Sequence, residues 1–207
     1  MVQRSIVVGI AGGSASGKST VVRHLVHLLL PHDTSVLSHD AYYHDLSYMP
    51  FEQRIEVNVD HPDSLETPLL IEHVGALLAG RDIEVPSYDY ASQTRGELGV
   101  LVLPAAVVII EGLLALSDPA LSALMDLSVF VDASETTRLR RRIARDVAER
   151  GRTESEVVEQ HHARVQPMHT EFVEPTRRSA DVVVPEGQQH EAAVLALAGQ
   201  VKALLGT

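Results

Sequence analysis

Eight consecutive residues near the amino end carry the most specific chemistry in the chain. Gly12-Gly13-Ser14-Ala15-Ser16-Gly17-Lys18-Ser19 fits the pattern G-x-x-x-x-G-K-[ST] at every fixed position. The glycines allow successive backbone N–H groups to turn into one anion nest. A helix opening at Lys18 adds the positive end of its dipole. Lys18 can then reach the β- and γ-phosphates of a nucleoside triphosphate, and the Ser19 hydroxyl can ligate Mg²⁺, with Thr20 next in the first turn.

Two carboxylates stand where such a loop can use them. Asp40 follows the short apolar run Ser35–Ser38, and Glu111 follows the β-branched run Ala106–Ile110. A nucleotide-bound Mg²⁺ takes one or two carboxylates, and an attacking hydroxyl needs a base within hydrogen-bond reach. Asp40 and Glu111 cover both tasks, with Ser19 as the third oxygen donor for the metal. Seven of the seventeen basic residues lie between Arg138 and Arg152. Arginines on a mobile segment can stabilise charge spread over a transferring phosphoryl group and exclude water. Arg145, Arg150 and Arg152 are assigned to this work, with Gly151 as a hinge. Arg138, Arg140 and Arg141 are expected on a solvated helix face.

The elements that must position these groups alternate. Strands are expected at Ser5–Ile10, Ser35–Ser38, Ala106–Ile110, Leu127–Val131 and Asp181–Val184. Helices are expected at Lys18–Leu30, Thr67–Ala79, Ser134–Arg150 and Glu191–Leu205, with Ser134 as an N-cap. Three short extended pieces within 83–103 suggest a β-hairpin insert. Alternation of this kind gives an α/β fold with a parallel sheet and helices on both faces, and ligands bind at the carboxyl ends of its strands. The 207 residues fit one domain.

Composition narrows the function classes. A net charge of −11 opposes general binding to nucleic acid or anionic membrane. The absence of cysteine excludes disulfides, thiolate zinc sites and thiol catalysis. Signal-peptide regions and an apolar run long enough to span a bilayer are both lacking, so a cytoplasmic protein is expected. Lys18 and Lys202 are the only lysines, which excludes the guanine-reading Asn-Lys-x-Asp motif of GTPases. The eleven histidines show no ligand spacing, and surface or structural roles are expected for them. Adjacent helical residues such as His161 and His162 are not expected to face the same way.

Over nearly its whole length the chain resembles the uridine–cytidine kinases. The resemblance rests on the phosphate loop, Asp40-Ala41-Tyr42-Tyr43, Asn58-Val59-Asp60-His61-Pro62 and Tyr88-Asp89-Tyr90 with Thr94-Arg95. It continues in Glu111-Gly112, the run Arg145–Arg152, Pro167-Met168 and Ala180–Pro185. The resemblance implies a P-loop NTPase fold with an NMP-kinase-like sheet, a hairpin insert at 83–103 and a helical lid at about 145–165. It also implies transfer of the γ-phosphate of ATP, or of GTP, to the ribose 5′-hydroxyl of uridine or cytidine, with Mg²⁺. Asp40 would take the hydroxyl proton and Asp60 would bind the 2′- and 3′-hydroxyls. Arg142, Arg152 and Gln160 would help hold the nucleoside. Tyr43, Tyr88 and Tyr90 would line the base pocket, and Arg145 and Arg150 would act on the phosphates. Homotetramers and feedback inhibition by CTP or UTP are further traits that the resemblance implies.

One departure stands in the insert. Gln93 occupies a position where many relatives carry His. Its amide holds both an acceptor and a donor, which suits either uracil O4 or the cytosine amino group. Two rival readings share the phosphate loop: a kinase of the phosphoribulokinase or pantothenate kinase type, and a nucleotide-binding regulator without turnover. The segment Asp60-His61-Pro62 speaks against the first. Intact Lys18, Ser19, Asp40 and Glu111 speak against the second.

Overall fold

The computed structural model describes residues 4–206. Its elements, in chain order, begin with β1 Ile6–Ala11, α1 Lys18–Leu29, β2 Thr34–Ser38, α2 Phe51–Arg54 and α3 Thr67–Leu78. Four short strands follow: β3 Ile83–Val85, β4 Tyr88–Asp89, β5 Thr94–Arg95 and β6 Val100–Val102. The chain continues with β7 Val107–Glu111, α4 Pro119–Ser122, β8 Leu127–Val131, α5 Glu135–Arg150 and α6 Glu154–Gln160. It ends with α7 Gln166–Met168, β9 Val182–Val184 and α8 His190–Leu205.

Five strands form one parallel sheet in the order β2-β7-β1-β8-β9. Alternation along β1 explains its two covered faces. Ile6, Val8 and Ile10 join a cluster with Val21, Leu25 and Leu29 of α1 and Val194, Leu197 and Val201 of α8. Val7 and Ala11 face the other way, onto Leu70, Val74 and Leu77 of α3. Each fully buried leucine among these contributes roughly 2 kcal/mol. A strand covered on both faces must be apolar throughout, and β1 and β7 are buried at every position except Glu111. That one half-buried carboxylate lies at the carboxyl end of the sheet.

The 83–102 segment makes two nested antiparallel pairs, β3 with β6 and β4 with β5. Of the second pair, β4 falls on the extended piece expected at Tyr88–Tyr90, whereas β5, only two residues long, was not expected. Arg95 fastens the inner pair to the body. Its guanidinium donates to the carbonyls of Tyr43 and Tyr42 and pairs with Glu66 at 2.7 Å.

α5 starts where expected, with Ser134 Oγ accepting from the Thr137 N–H. It ends at Gly151, whose φ of 64° is the left-handed cap that glycine adopts without strain. Thr153 and Glu156 then form a capping box that opens α6. α6 runs on through a π-helical stretch His161–Val165, α7, and a second π-helical stretch His169–Val173. As far as Val165 this segment falls within the helical lid that the resemblance implies; its continuation to Val173 was not among the expected helices. Among the described residues, no helix is long and apolar enough to cross a membrane.

Candidate active site

The loop between β1 and α1 wraps around its own lysine. Lys18 Nζ donates to the carbonyls of Gly12 at 3.0 Å and Gly13 at 3.2 Å. Gly12 has φ 149°, and a Cβ there would lie 2.4 Å from the Val131 carbonyl oxygen, so only glycine fits between loop and β8. Ala15 takes a left-handed φ of 60°, a conformation that costs a non-glycine residue roughly 1–2 kcal/mol. Arg141 spans from α5 to this turn and donates to the Ser16 carbonyl at 2.9 Å.

The loop forms one end of a cleft of about 350 Å³. Ser14, Ala15, Gly17, Lys18, Ser19 and Thr20 line it, while Gly12, Gly13 and Ser16 are buried beneath. Asp40, carried by the turn after β2, and Glu111, at the end of β7, face the same space. So do Asp60, Tyr43, Tyr88, Tyr90 and Gln93 from the middle of the chain. Arg142, Arg145, Arg150, Arg152 and Gln160 close the opposite wall. Every residue assigned to the site from the sequence therefore lies in the cleft or in the loop that floors it. The sequence reading missed Val59, Leu113 and Arg141, which also line the space. Val59 adjoins Asp60, and Arg141 precedes Arg145 by one helical turn, which was the only signal for either.

Two expectations are corrected here. Arg138 is buried, not solvated: its side chain packs against Gly13 and donates to the Ala133 carbonyl and to Gln166 Oε1. Arg140 and Arg141 are both exposed as expected, and Arg141 also donates to the phosphate loop, as above. The rings of His161 and His162 do meet edge to face, with centroids 5.3 Å apart, although His161 is buried and His162 exposed. His161 is buried, and its Nε2 lies 3.2 Å from Glu135 Oε1.

The electrostatics are those of a desolvated, densely charged pocket. Burial pulls the Lys18 ammonium below its ordinary pKa, opposed by Glu111 and Asp40 and reinforced by Arg145 and Arg138. Burial raises the Asp40 carboxyl, and Lys18, Arg150 and Arg145 oppose it. Glu111 is raised for the same reason and opposed by Lys18. Asp60 is raised by burial and held back chiefly by Arg142. Ser19, Asp40 and Glu111 offer only hard oxygen donors, the set that suits Mg²⁺. Two carboxylates made costly by burial are what a divalent cation would relieve, so the residues fit that ion.

Three tyrosines pack in sequence, Tyr43 tilted against Tyr88 at 5.1 Å and Tyr88 edge to face with Tyr90 at 5.4 Å, and the Arg150 guanidinium lies 5.6 Å over Tyr90. Partial desolvation in the cleft, with Asp40 nearby, pushes the Tyr90 phenol up to about 12, although half of the residue is exposed. These rings give the cleft an aromatic wall beside its charged floor. Gln93 adopts a left-handed φ of 54°, and its Oε1 is buried with no hydrogen-bond partner among the described residues.

A strand–loop–helix phosphate cradle at the carboxyl end of a parallel sheet, flanked by a lysine, two carboxylates and arginines, defines a P-loop kinase. Comparisons with known proteins narrow the class. The phosphoribulokinase/uridine kinase family pattern matches residues 7–193. A uridine kinase of Ligilactobacillus salivarius is 44% identical over 98% of this chain and 95% of its own length. One of Deinococcus deserti is 46% identical over 96% of each chain. The solved phosphoribulokinase of Rhodobacter spheroides shares the fold, with a TM-score of 0.65 at 13% identity over 88% of this chain and 70% of its own. The chain belongs to the phosphoribulokinase/uridine kinase family.

Proposed function

We propose that the protein transfers the γ-phosphate of ATP to the ribose 5′-hydroxyl of uridine and cytidine, giving UMP and CMP for pyrimidine salvage. The observation that carries this reading is the joint placement of Asp40 and Asp60 in the cleft floored by the phosphate loop. One carboxylate serves the attacking hydroxyl. The other, acceptor-only when ionised, suits the vicinal diol of ribose. The uridine kinases aligned over nearly the whole chain support the same substrate.

In this reading the phosphate loop and Lys18 hold the β- and γ-phosphates. Asp40 takes the proton from the 5′-hydroxyl. Arg145 and Arg150 stabilise charge on the transferring group. Asp60 binds the 2′- and 3′-hydroxyls, and Arg142, Arg152 and Gln160 hold the ribose side. Tyr43, Tyr88 and Tyr90 flank the base, which Gln93 reads. Mg²⁺, held by Ser19, Asp40 and Glu111 directly or through water, supplies charge neutralisation on the phosphates. The segment 145–165 acts as the lid and 83–103 closes over the base. GTP as a second donor, a homotetramer, inhibition by CTP or UTP and a cytoplasmic location complete the proposal. Nucleic acid and membrane are not partners in it.

The test is ADP release with ATP and Mg²⁺, run separately with uridine, cytidine, deoxycytidine, ribulose 5-phosphate and pantothenate. Turnover with uridine or cytidine, much weaker with the deoxy analogue, is expected. No turnover with either nucleoside overturns the reading. Gln93→Leu should lower kcat/KM for both nucleosides by about ten- to hundredfold, the cost of leaving a base polar group unpaired. Unchanged efficiency on both bases removes Gln93 from the base site.

A further inference from the structure

Behind the arginine wall lies a single carboxylate that does not line the cleft. Asp146 is completely buried, and four guanidiniums converge on it. Its two oxygens divide them. Oδ1 takes Arg145, through both Nε and Nη2 at 2.8 Å, and faces Arg150 Nε at 3.6 Å. Oδ2 faces Arg142 Nε at 3.4 Å and Arg152 Nη1 at 3.7 Å, and accepts no hydrogen bond among the described residues. The second pair is also joined in front, since Gln160 Oε1 accepts from Arg142 at 2.7 Å and Arg152 at 2.5 Å.

This division follows the two halves of the proposed reaction. Arg145 and Arg150 are the phosphate pair. Arg142 and Arg152 are the nucleoside pair. We infer that Asp146 couples the two half-sites, so that each substrate tightens the binding of the other. The assignment rests on the nucleoside kinase reading given above.

The physical argument is competition for one buried anion. A fully buried carboxylate cannot remain unpaired without a cost of several kcal/mol. A triphosphate carries more negative charge than Asp146 and draws Arg145 and Arg150 forward, which their partial exposure permits. Asp146 then closes on its remaining partners, and the vacant acceptor capacity of Oδ2 lies on that side. Arg142 and Arg152 are thereby fixed in the geometry that holds the nucleoside. The reverse also holds, because coupling between two ligands is reciprocal. The Asp146 carbonyl reinforces the link. It accepts from the Arg152 N–H at 3.3 Å and from the Gly151 N–H, so the end of α5 moves as one piece with the carboxylate. Asp146 is a positioning residue, acting through arginines.

The test is calorimetric binding of the β,γ-imido analogue of ATP with Mg²⁺, with and without saturating uridine. Wild-type protein should bind the analogue at least about fivefold more tightly when uridine is present. In Asp146→Asn that factor should fall to below about twofold. A merely structural aspartate would weaken each ligand separately and leave the ratio intact. An unchanged ratio in the variant, or no coupling in the wild type, overturns the inference. Asp146→Glu keeps the charge and moves it by one methylene, so it decides the matter if the Asn variant is not recovered folded: a reduced factor supports the inference and a wild-type factor overturns it. Wild-type turnover of uridine together with unchanged coupling defeats this inference alone. Absence of uridine turnover defeats the nucleoside reading and the inference with it.

Discussion

Asp40 carries an opposed pair of influences. Burial raises its carboxyl, and Lys18, Arg150 and Arg145 work to keep it ionised. A base must be ionised to accept the 5′-hydroxyl proton, so kcat/KM falls as pH drops through the raised pKa of the free enzyme. Without Mg²⁺ that pKa lies above the ordinary aspartate value of 3.8, and Mg²⁺ held beside it would lower it again. A pH–rate profile with uridine locates the acid limb, and its persistence in Asp40→Asn removes Asp40 as the base. Asp40→Asn should lower kcat by about 10²–10⁴-fold while leaving thermal stability unchanged or higher, since a costly buried charge is lost. Several such residues were legible because their chemistry is written in short spacings: the loop 12–19 and the carboxylates closing two apolar runs. Arg138 was not. Its burial depends on Gly13 lacking a side chain across the loop–α5 contact, which no local pattern records.

At the scale of elements, period-2 and period-3.6 patterns located the sheet strands and the helices α1, α3, α5 and α8. They failed over Glu154–Arg178 for a definable reason. The buried positions there are Val157, His161, Val165, His169 and Val173, spaced by four throughout. Alternation of α and π winding stretches the period beyond 3.6, and two of the five positions are histidines, so no apolar stripe shows. In the inner hairpin pair β5 was hidden by its brevity, and the pair's placement depends on Arg95 within it and Arg54 outside it. Arg54 donates to the carbonyls of Met49 at 2.7 Å, Ser47 at 3.1 Å and Ser92 at 3.1 Å, pinning the residue before Gln93 to the 47–55 segment. Arg54→Ala should thus raise KM for uridine by about tenfold, the loss of one or two charge-assisted bonds that hold a positioned group. KM for ATP should change less than twofold. Steady-state kinetics with each substrate varied separately will show whether the effect is confined to the nucleoside; an equal rise in both constants rejects the hairpin role.

The whole molecule joins a sheet of fixed parallel topology to a flank that is polar and histidine-bearing, and this sets how it answers acid. His39 and His169 are both buried, and burial lowers each to about 4 from an ordinary 6.5. Asp118 opposes the shift at His39. At His169 Arg138 and Lys18 reinforce it, Glu135 and Asp132 oppose it, and Glu174 lies 3.3 Å away. The unfolded chain protonates these imidazoles first, so the stability they permit is complete above pH 6.5 and declines as pH falls toward 4. Each can remove up to about 3 kcal/mol across that window. Asp40, Asp60 and Glu111 act with the opposite sign, because their raised carboxyls take up protons in the folded state before the unfolded chain does. These carboxyls are common to the wild type and to a histidine variant, so the difference between the two reports the histidine alone. His169 anchors the second π-helical stretch between α7 and Val173, which makes it the one whose protonation loosens the flank carrying Gln160, the partner of Arg142. Melting temperature should fall from pH 7 to pH 5 in the wild type. His169→Gln, which holds no titrating group, should flatten that slope while lowering stability at pH 7 by about 1–2 kcal/mol for imperfect packing. A slope unchanged by the substitution would show that acid sensitivity resides elsewhere in the fold.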